Sequence, residues 1–303
     1  MVERLVANEK VEGSTPFARS IIMIIWISSY PKSGNTYLRS FLSSYYYSNN
    51  GKFDFDQLLN IHQFPNIKFS KFKPTSKEEA SRYWIFNQNN FFDKNKLNFV
   101  KTHNCLLPFM GNEFTSKNET IGALYIVRDP RNVITSVKHH YSLSYEKALE
   151  NMLDENCSLL EKSFDQDFSN FTYLNSWSNH YKSWKNNINF ETLFIKYEEI
   201  EDNKEEIFKK IILFVEKISK KNSIINEKKF LNSIKSTNFS NLKNKELNEG
   251  FEESVYSNKI GKKINFFNLG FSNRWQKLLP LDIKNKINEK FKKNLKELDY
   301  LND

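Results

Sequence analysis

The chain has 303 residues, of which 39% are hydrophobic and 15% aromatic, a composition that is typical of a folded protein and excludes a disordered one. The formal net charge of +9 comes largely from lysines spread along the chain, so we interpret it as solvated surface and not as a nucleic-acid site. Two cysteines are too few for a disulfide framework, and no Cys/His spacing resembles a zinc site. We therefore expect a cytoplasmic protein without a metal.

The beginning of the chain shows no recognisable structural pattern. No apolar run in the sequence reaches the roughly 20 residues that a membrane-spanning helix needs, and the first twenty residues lack the apolar centre of a signal peptide. We expect residues 1–20 to be a disordered tail, or a mis-assigned start with Met23 as the true initiator. Residues 21–303 are then the functional domain.

Buried strands alternate with amphipathic helices along the rest of the chain. Apolar runs predict strands at 21–27, 97–102, 121–127 and 192–196. Helical spacing of apolar residues follows Thr36, Pro130, Trp177 and Tyr197 and returns at 281–298. The segments 49–75, 150–172 and 240–272 are predicted to be largely loop. This order predicts an α/β fold, a single domain with a central parallel sheet wrapped by helices.

The most informative segment is the turn that follows the first strand. It reads Tyr30-Pro31-Lys32-Ser33-Gly34-Asn35-Thr36 and leads directly into a helix. A helix N-terminus preceded by a short loop with a lysine, a glycine and hydroxyls is suited to bind phosphate, so the architecture is P-loop-like. The loop nevertheless lacks the Gly-x-x-x-x-Gly-Lys-Ser/Thr pattern of a Walker A motif.

Two further predicted strands also end in polar residues. Lys101-Thr102-His103 follows the second strand, and Arg128 follows the third, with Asp129 and Pro130 in place to begin a helix. The carboxyl ends of parallel strands meet at one edge of a sheet, where ligands bind. A phosphate loop, a base and an arginine are therefore expected in one crevice.

These residues resemble the cytosolic-type sulfotransferases that use 3′-phosphoadenosine 5′-phosphosulfate (PAPS). The family signature Tyr-Pro-Lys-Ser-Gly-Thr-Thr-Trp is similar to residues 30–37, and its Lys-Thr-His is matched at 101–103. The family's strand-ending Arg, with a Ser eight residues later, is matched by Arg128 and Ser136. The resemblance covers Ile21 to Leu279. It implies PAPS as sulfuryl donor, an acceptor hydroxyl on a carbohydrate or other small alcohol, and no metal.

The resemblance also implies a role for each matching residue. Lys32 grips the 5′-phosphosulfate and stabilises the leaving oxygen, Lys101 stabilises the transferring group, and His103 is the catalytic base. The other implied donor contacts are Ser33, Gly34, Asn35 and Thr36 at the 5′-phosphate, Arg128 and Ser136 at the 3′-phosphate, Tyr37, Tyr197, Thr237 and Phe239 at adenine, and Gly270 in a C-terminal lid. His139 and His140 are interpreted as structural or pocket-edge residues.

The C-terminal lid departs from the family pattern Arg-Lys-Gly-x-x-Gly-x-Trp. The best match is the segment 268–275, where Asn268 replaces the arginine and Asn273 replaces the second glycine. Lys262 or Lys263 is a candidate for the lost positive charge. A missing contact of this kind costs about 1.5–3 kcal/mol, which weakens donor binding without abolishing it.

Two other functions stay open at this point. A P-loop-type nucleotide kinase or NTPase shares the strand–loop–helix arrangement, although the Gly-Lys-Ser/Thr and an obvious magnesium-binding Asp are missing. The altered lid also fits a nucleotide-binding protein with weakened catalysis. A homodimer is kept open as well.

Overall fold

The computed structural model describes residues 22–160, 167–221, 224–257 and 261–301, so the tail predicted at residues 1–20 lies outside the described residues. The strands are β1 (Met23–Ser29), β2 (His62–Gln63), β3 (Leu97–Thr102), β4 (Thr120–Val127), β5 (Ser158–Leu159), β6 (Thr172–Tyr173), β7 (Glu191–Lys196), β8 (Val255–Ser257) and β9 (Lys262–Ile264). Five of them form one parallel sheet in the order β2-β3-β1-β4-β7. The α/β fold with a central parallel sheet is confirmed.

The helices flank this sheet. They are α1 (Asn35–Tyr47), α2 (Lys77–Arg82), α3 (Trp84–Phe91), α4 (Pro130–Tyr141), α5 (Tyr145–Leu153), α6 (Trp177–Lys185), α7 (Tyr197–Asp202), α8 (Lys204–Ile218), α9 (Glu227–Ser236), α10 (Phe239–Glu249), α11 (Trp275–Leu278), α12 (Leu281–Lys290) and α13 (Lys292–Glu297). Short 3₁₀ turns lie at Phe55–Asn60, Ile67–Phe69 and Gly270–Ser272.

The central strand β1 separates two hydrophobic cores. Side chains alternate along a strand, so Ile24 and Trp26 face one core while Ile25 and Ile27 face the other. Helices α3, α4, α5, α6, α12 and α13 cover the first face, and α1, α8, α9 and α10 cover the second. Covering both faces is what a parallel sheet requires, and it leaves the strand ends as the place for polar side chains.

The predicted loop at 240–272 is wrong in part. Residues from Phe239 to Glu249 form α10, which Asn238 caps by accepting a hydrogen bond from the backbone of Asn241, and β8 and β9 form an antiparallel hairpin. The single helix predicted at 281–298 is two helices, because the chain bends at the buried Phe291. The first strand extends to Ser29, since Ser28 and Ser29 are buried and paired in the sheet.

Helix α4 begins as predicted and is fixed by a buried ion pair. Asp129 caps the helix, Pro130 occupies its first turn, and the Asp129 carboxylate lies 2.7 Å from the Arg131 guanidinium. The same guanidinium donates to the carbonyl of Tyr300 and lies over the ring of Trp275. The pair therefore joins the start of α4 to the C-terminal part of the chain.

We expect Asp129→Asn to lower the free energy of unfolding by about 3 kcal/mol, because it leaves the Arg131 charge buried without its counter-ion. Urea denaturation followed by circular dichroism measures this. Asp93→Asn is the matched control, since Asp93 pairs with Lys96 at 3.1 Å but is 68% exposed, and should cost less than about 1 kcal/mol. Equal losses in the two variants would show that the buried pair does not stabilise the fold.

Candidate active site

The carboxyl ends of β1, β3, β4 and β7 open onto a cavity of about 1240 Å³. This volume exceeds that of an ordinary ligand pocket, so it has room for a nucleotide and a second molecule. All but two of the predicted site residues line it, namely Lys32, Gly34, Asn35, Thr36, Tyr37, Lys101, His103, Arg128, Ser136, Tyr197, Phe239 and Gly270. The parallel sheet thus brings residues from distant parts of the sequence into one crevice.

The loop after β1 presents the N-terminus of α1 to this cavity. Gly34 precedes the helix with a φ of 104°, no side chain caps it, and its first turn holds no acidic residue. The first backbone N–H groups are therefore oriented to bind an anion. Only glycine fits at position 34, because a Cβ there would lie 2.4 Å from the ring of Tyr197.

The side chain of Asn35 holds the loop against β1. The Asn35 amide donates to the carbonyl of Ile27 at 2.9 Å and to the Ser29 hydroxyl at 3.3 Å. Ser33 is fully buried and does not line the cavity. The Asn35 amide nitrogen is therefore engaged by the end of β1, and Ser33 does not reach the cavity.

Lys32 is a half-buried cation with two other cations, Lys101 and Arg128, nearby. Its ammonium lies 3.6 Å from the centre of the Phe266 ring. Burial lowers the pKa of Lys32 to about 7, and the positive charges of Lys101 and Arg128 add to this effect while Glu253 opposes it. Lys32 therefore gains or loses its proton near neutral pH.

A half-buried carboxylate joins the loop to β3. Glu253 accepts hydrogen bonds from Thr36 at 2.8 Å, from Arg39 at 2.6 Å and from Lys101 at 2.9 Å. Burial alone would raise the pKa of Glu253, but Lys101 and Arg39 hold it well below the usual range. The sequence reasoning missed both Arg39 and Glu253. Arg39 follows Thr36 by three residues and so shares its helix face, a spacing that could have revealed it.

His103 is held in one tautomer. Its Nδ1 lies 2.7 Å from the carbonyl oxygen of Ser29, which can only accept, so Nδ1 donates and Nε2 keeps its lone pair. Burial, with a contribution from Lys101, lowers the pKa of His103 to about 3. The backbone carbonyl of His103 accepts from His180 Nε2 at 2.9 Å, while His180 Nδ1 accepts from the Tyr125 hydroxyl at 2.8 Å. The ring is therefore neutral at physiological pH, with Nε2 as its acceptor atom.

Arg128 forms the other end of the crevice. Its guanidinium donates to the carbonyls of Lys32 at 3.2 Å and Gly270 at 3.1 Å and stacks over Tyr197 at 4.3 Å. Its Nε is buried without a partner among the described residues. Ser136, in the second turn of α4 after the same strand end, accepts from Asn273 at 2.9 Å. A guanidinium and a hydroxyl at one end of the crevice are groups suited to hold an anion.

Aromatic rings also line the cavity, among them Tyr37 and Tyr197. Tyr197 stacks on Phe271 with ring centres 5.0 Å apart, and Tyr37 meets Phe271 edge-on at 5.9 Å. Phe239 also lines the cavity. Thr237 does not, since it is fully buried and its hydroxyl donates to the carbonyl of Ser233 at 2.7 Å. Its side chain serves the end of α9.

The two asparagines of the lid have different surroundings. Asn273 is buried and bonds to Thr135, to the carbonyl of Asn132 and to Ser136, which pins the lid to α4. The carbonyl of Asn268 accepts from Lys243 at 2.9 Å, a cation that sequence reasoning did not consider. Of the two lysines it did consider, Lys263 lines the cavity and Lys262 does not; His139 and His140 lie on the cavity wall.

Within the described ranges, no cluster of three or more His, Cys, Asp or Glu side chains is arranged to hold a metal ion. No helix in that part of the chain is both long and apolar enough to cross a membrane.

Two comparisons place this geometry among known proteins. Sulfotransferase 1A1 of the dog, Canis lupus familiaris, is 25% identical over 194 residues, which are 62% of this chain and 57% of the canine protein, so the chain aligns with little more than half of that relative's length. The crystal structure of mouse sulfotransferase SULT7A1 complexed with PAP is 20% identical and superposes with a TM-score of 0.55, covering 93% of this chain and 86% of that one. The mouse structure shows that the fold is shared.

The sequence profile of the sulfotransferase domain matches residues 24–299, which is most of the chain. The resemblance drawn from the loop at 30–37 and from the residues at the other strand ends is therefore confirmed. The chain belongs to the sulfotransferase domain family.

Proposed function

We propose that the protein transfers the sulfuryl group of PAPS to a hydroxyl of a carbohydrate or other small alcohol. The observation that carries this proposal is the convergence of a proton-accepting His103 Nε2 with Lys32 and Lys101 in one cavity. A base beside two cations is what in-line transfer to a hydroxyl requires, since the protein must take one proton and stabilise charge on the group in flight.

The residues of the cavity fit the donor at both of its anionic ends. The uncapped start of α1, with Lys32 and Lys101, suits the 5′-phosphosulfate. Arg128, whose Nε lacks a partner among the described residues, and Ser136 suit the 3′-phosphate. We assign the adenine to the aromatic wall of Tyr37, Tyr197 and Phe239, with Gly270 beside it.

When bound, PAPS supplies an activated sulfuryl group. His103 Nε2 takes the proton of the acceptor hydroxyl, while the bond from Nδ1 to Ser29 keeps the ring oriented. Lys101 stabilises the transferring group, and Lys32 the oxygen from which it departs. His180 is a positioning residue, because its Nε2 donates a hydrogen bond to the backbone carbonyl of His103.

We also propose a cytoplasmic location, which agrees with the unpaired thiols of Cys105 and Cys157. A homodimer is a further proposal that sedimentation analysis can test. A screen of alcohols with labelled PAPS would identify the acceptor.

His103→Ala should lower turnover by at least ~10²-fold, because it removes the general base. The product 3′-phosphoadenosine 5′-phosphate (PAP) should still bind, since its phosphates lie on other residues. Turnover with labelled PAPS and calorimetry with PAP measure the two effects. His139→Ala, at the edge of the same cavity, is the control and should stay within a few-fold of the wild type. Near-normal turnover in His103→Ala refutes the assignment of the base.

The affinity for PAP should fall as the pH rises above about 7, by up to tenfold per pH unit. In the protein without ligand, Lys32 has a pKa of about 7 and loses its charge over this range. A bound phosphate favours the charged form of Lys32. Calorimetry between pH 6.5 and 9 measures this. Lys32→Met should bind PAP weakly with little pH dependence and approach the wild type at high pH. Parallel curves for the two proteins would contradict the role of Lys32.

PAP should raise the melting temperature more than ATP with magnesium at equal concentration. At 100 times its dissociation constant a ligand adds about 2.7 kcal/mol of stability, which is readily seen in a thermal shift. The proposed site has two anion-binding positions, and PAP carries one phosphate for each. Greater stabilisation by ATP with magnesium would favour a kinase or NTPase instead.

A further inference from the structure

The carboxylate of Glu253 lies at the point where the start of α1 and the end of β3 meet. Its oxygens accept from Thr36, Arg39 and Lys101 at 2.6–2.9 Å. Thr36 belongs to the phosphate-binding loop and Lys101 to the transfer residues of the proposed function. Because the Glu253 carboxylate accepts hydrogen bonds from both, its position is suited to an anionic oxygen.

We propose that Glu253 occupies the position of the donor's 5′-phosphate until the donor binds, and that Arg39 becomes a ligand of that phosphate when Glu253 leaves. The inference rests on the proposed function and adds two residues to it. Arg39 is a binding residue, and Glu253 is a built-in competitor for the same position.

The surroundings of Arg39 support a role in binding. It lies one turn after Thr36 on α1, its side chain is 6% exposed, and it lines the cavity. Its Nε is buried without a partner among the described residues, and the described hydrogen bond to Glu253 uses Nη1. A guanidinium has five donors, and a phosphate can accept more of them than one carboxylate oxygen does.

The balance of charge favours the exchange. Lys32, Arg39 and Lys101 carry three positive charges when Lys32 is protonated, against the carboxylates of Glu253 and of Glu246, which also acts on Lys32. A phosphosulfate or phosphate with two negative charges offsets more of this positive charge than Glu253 does. The carboxylate can therefore be displaced by the donor while still lowering its apparent affinity.

The exchange needs only a small movement of the chain. Glu253 lies between α10 and β8, and nearby Phe251 is buried, with its ring stacked on Phe55 at 4.7 Å and tilted against Phe267 at 5.4 Å. These contacts anchor the backbone two residues before Glu253. A change of side-chain rotamer at Glu253 is then enough to vacate the position.

Calorimetric titration of PAP into Glu253→Gln should give a dissociation constant about tenfold lower than in the wild type, since the amide no longer competes as an anion. Glu252→Gln is the matched control, because Glu252 is exposed, adjacent and carries the same charge; it should change the constant less than about twofold. Arg39→Gln should weaken PAP binding at least about tenfold, with partial recovery in Arg39→Lys.

Adenosine 3′-monophosphate, which lacks the 5′-phosphate, is the second probe. Its affinity should be the same in the wild type, Glu253→Gln and Arg39→Gln, because its phosphate would lie at Arg128 and Ser136. Equal loss of both nucleotides in Arg39→Gln would show a structural role only and overturn the inference. Circular dichroism checks that each variant is folded. If Glu253→Gln does not fold, Glu253→Asp, which keeps the charge but is one methylene shorter, should bind PAP more tightly than the wild type.

The possible failures are separable. A wild-type protein that binds PAP, with Glu253→Gln binding it equally well or less well, overturns the inference and leaves the proposed function standing. A wild-type protein that neither binds PAP nor transfers sulfate overturns the proposed function, and the inference with it.

Discussion

Buried positive charge at one edge of the sheet is the constraint on which the other features depend. Because β1 lies between β3 and β4 and all three are parallel, Lys32, Lys101 and Arg128 are brought to the same crevice. Burial and mutual repulsion disfavour these charges, and both effects lower the pKa of Lys32. The carboxylate of Glu253 and the carbonyls that Arg128 contacts offset part of this charge.

The sequence was sufficient for the sheet and for most of the cavity wall. The four principal strands are short apolar runs, and each is followed by polar residues, so the position of a site at their ends follows from strand direction alone. Asp129 and Pro130 mark the start of α4 by local chemistry, which needs no tertiary information. For the same reason the loop at 30–37 could be recognised before any fold was known.

Residues that depend on distant contacts could not be predicted. Glu253 is 217 positions from its partner Thr36, and its neighbourhood is rich in Lys, Asn and Glu, which hides the apolar face of α10. In the sequence, Asn273 stands where the family pattern has a glycine. In the fold, its side-chain amide bonds the lid to α4. Thr237 matches a family motif, but its hydroxyl donates a hydrogen bond to the carbonyl of Ser233 at the end of α9. In each case tertiary packing decides the role of the residue.

The neutral histidines of the site make the fold sensitive to acid. Burial lowers the pKa of His103 and His140 to about 3 and that of His180 to about 4, below the value of about 6.5 in an unfolded chain. As the pH falls below about 6.5, these histidines bind protons in the unfolded chain but not in the folded chain. The free energy of unfolding therefore declines with decreasing pH. Keeping His103 and His180 neutral in the folded state thus makes the fold less stable in acid than at neutral pH.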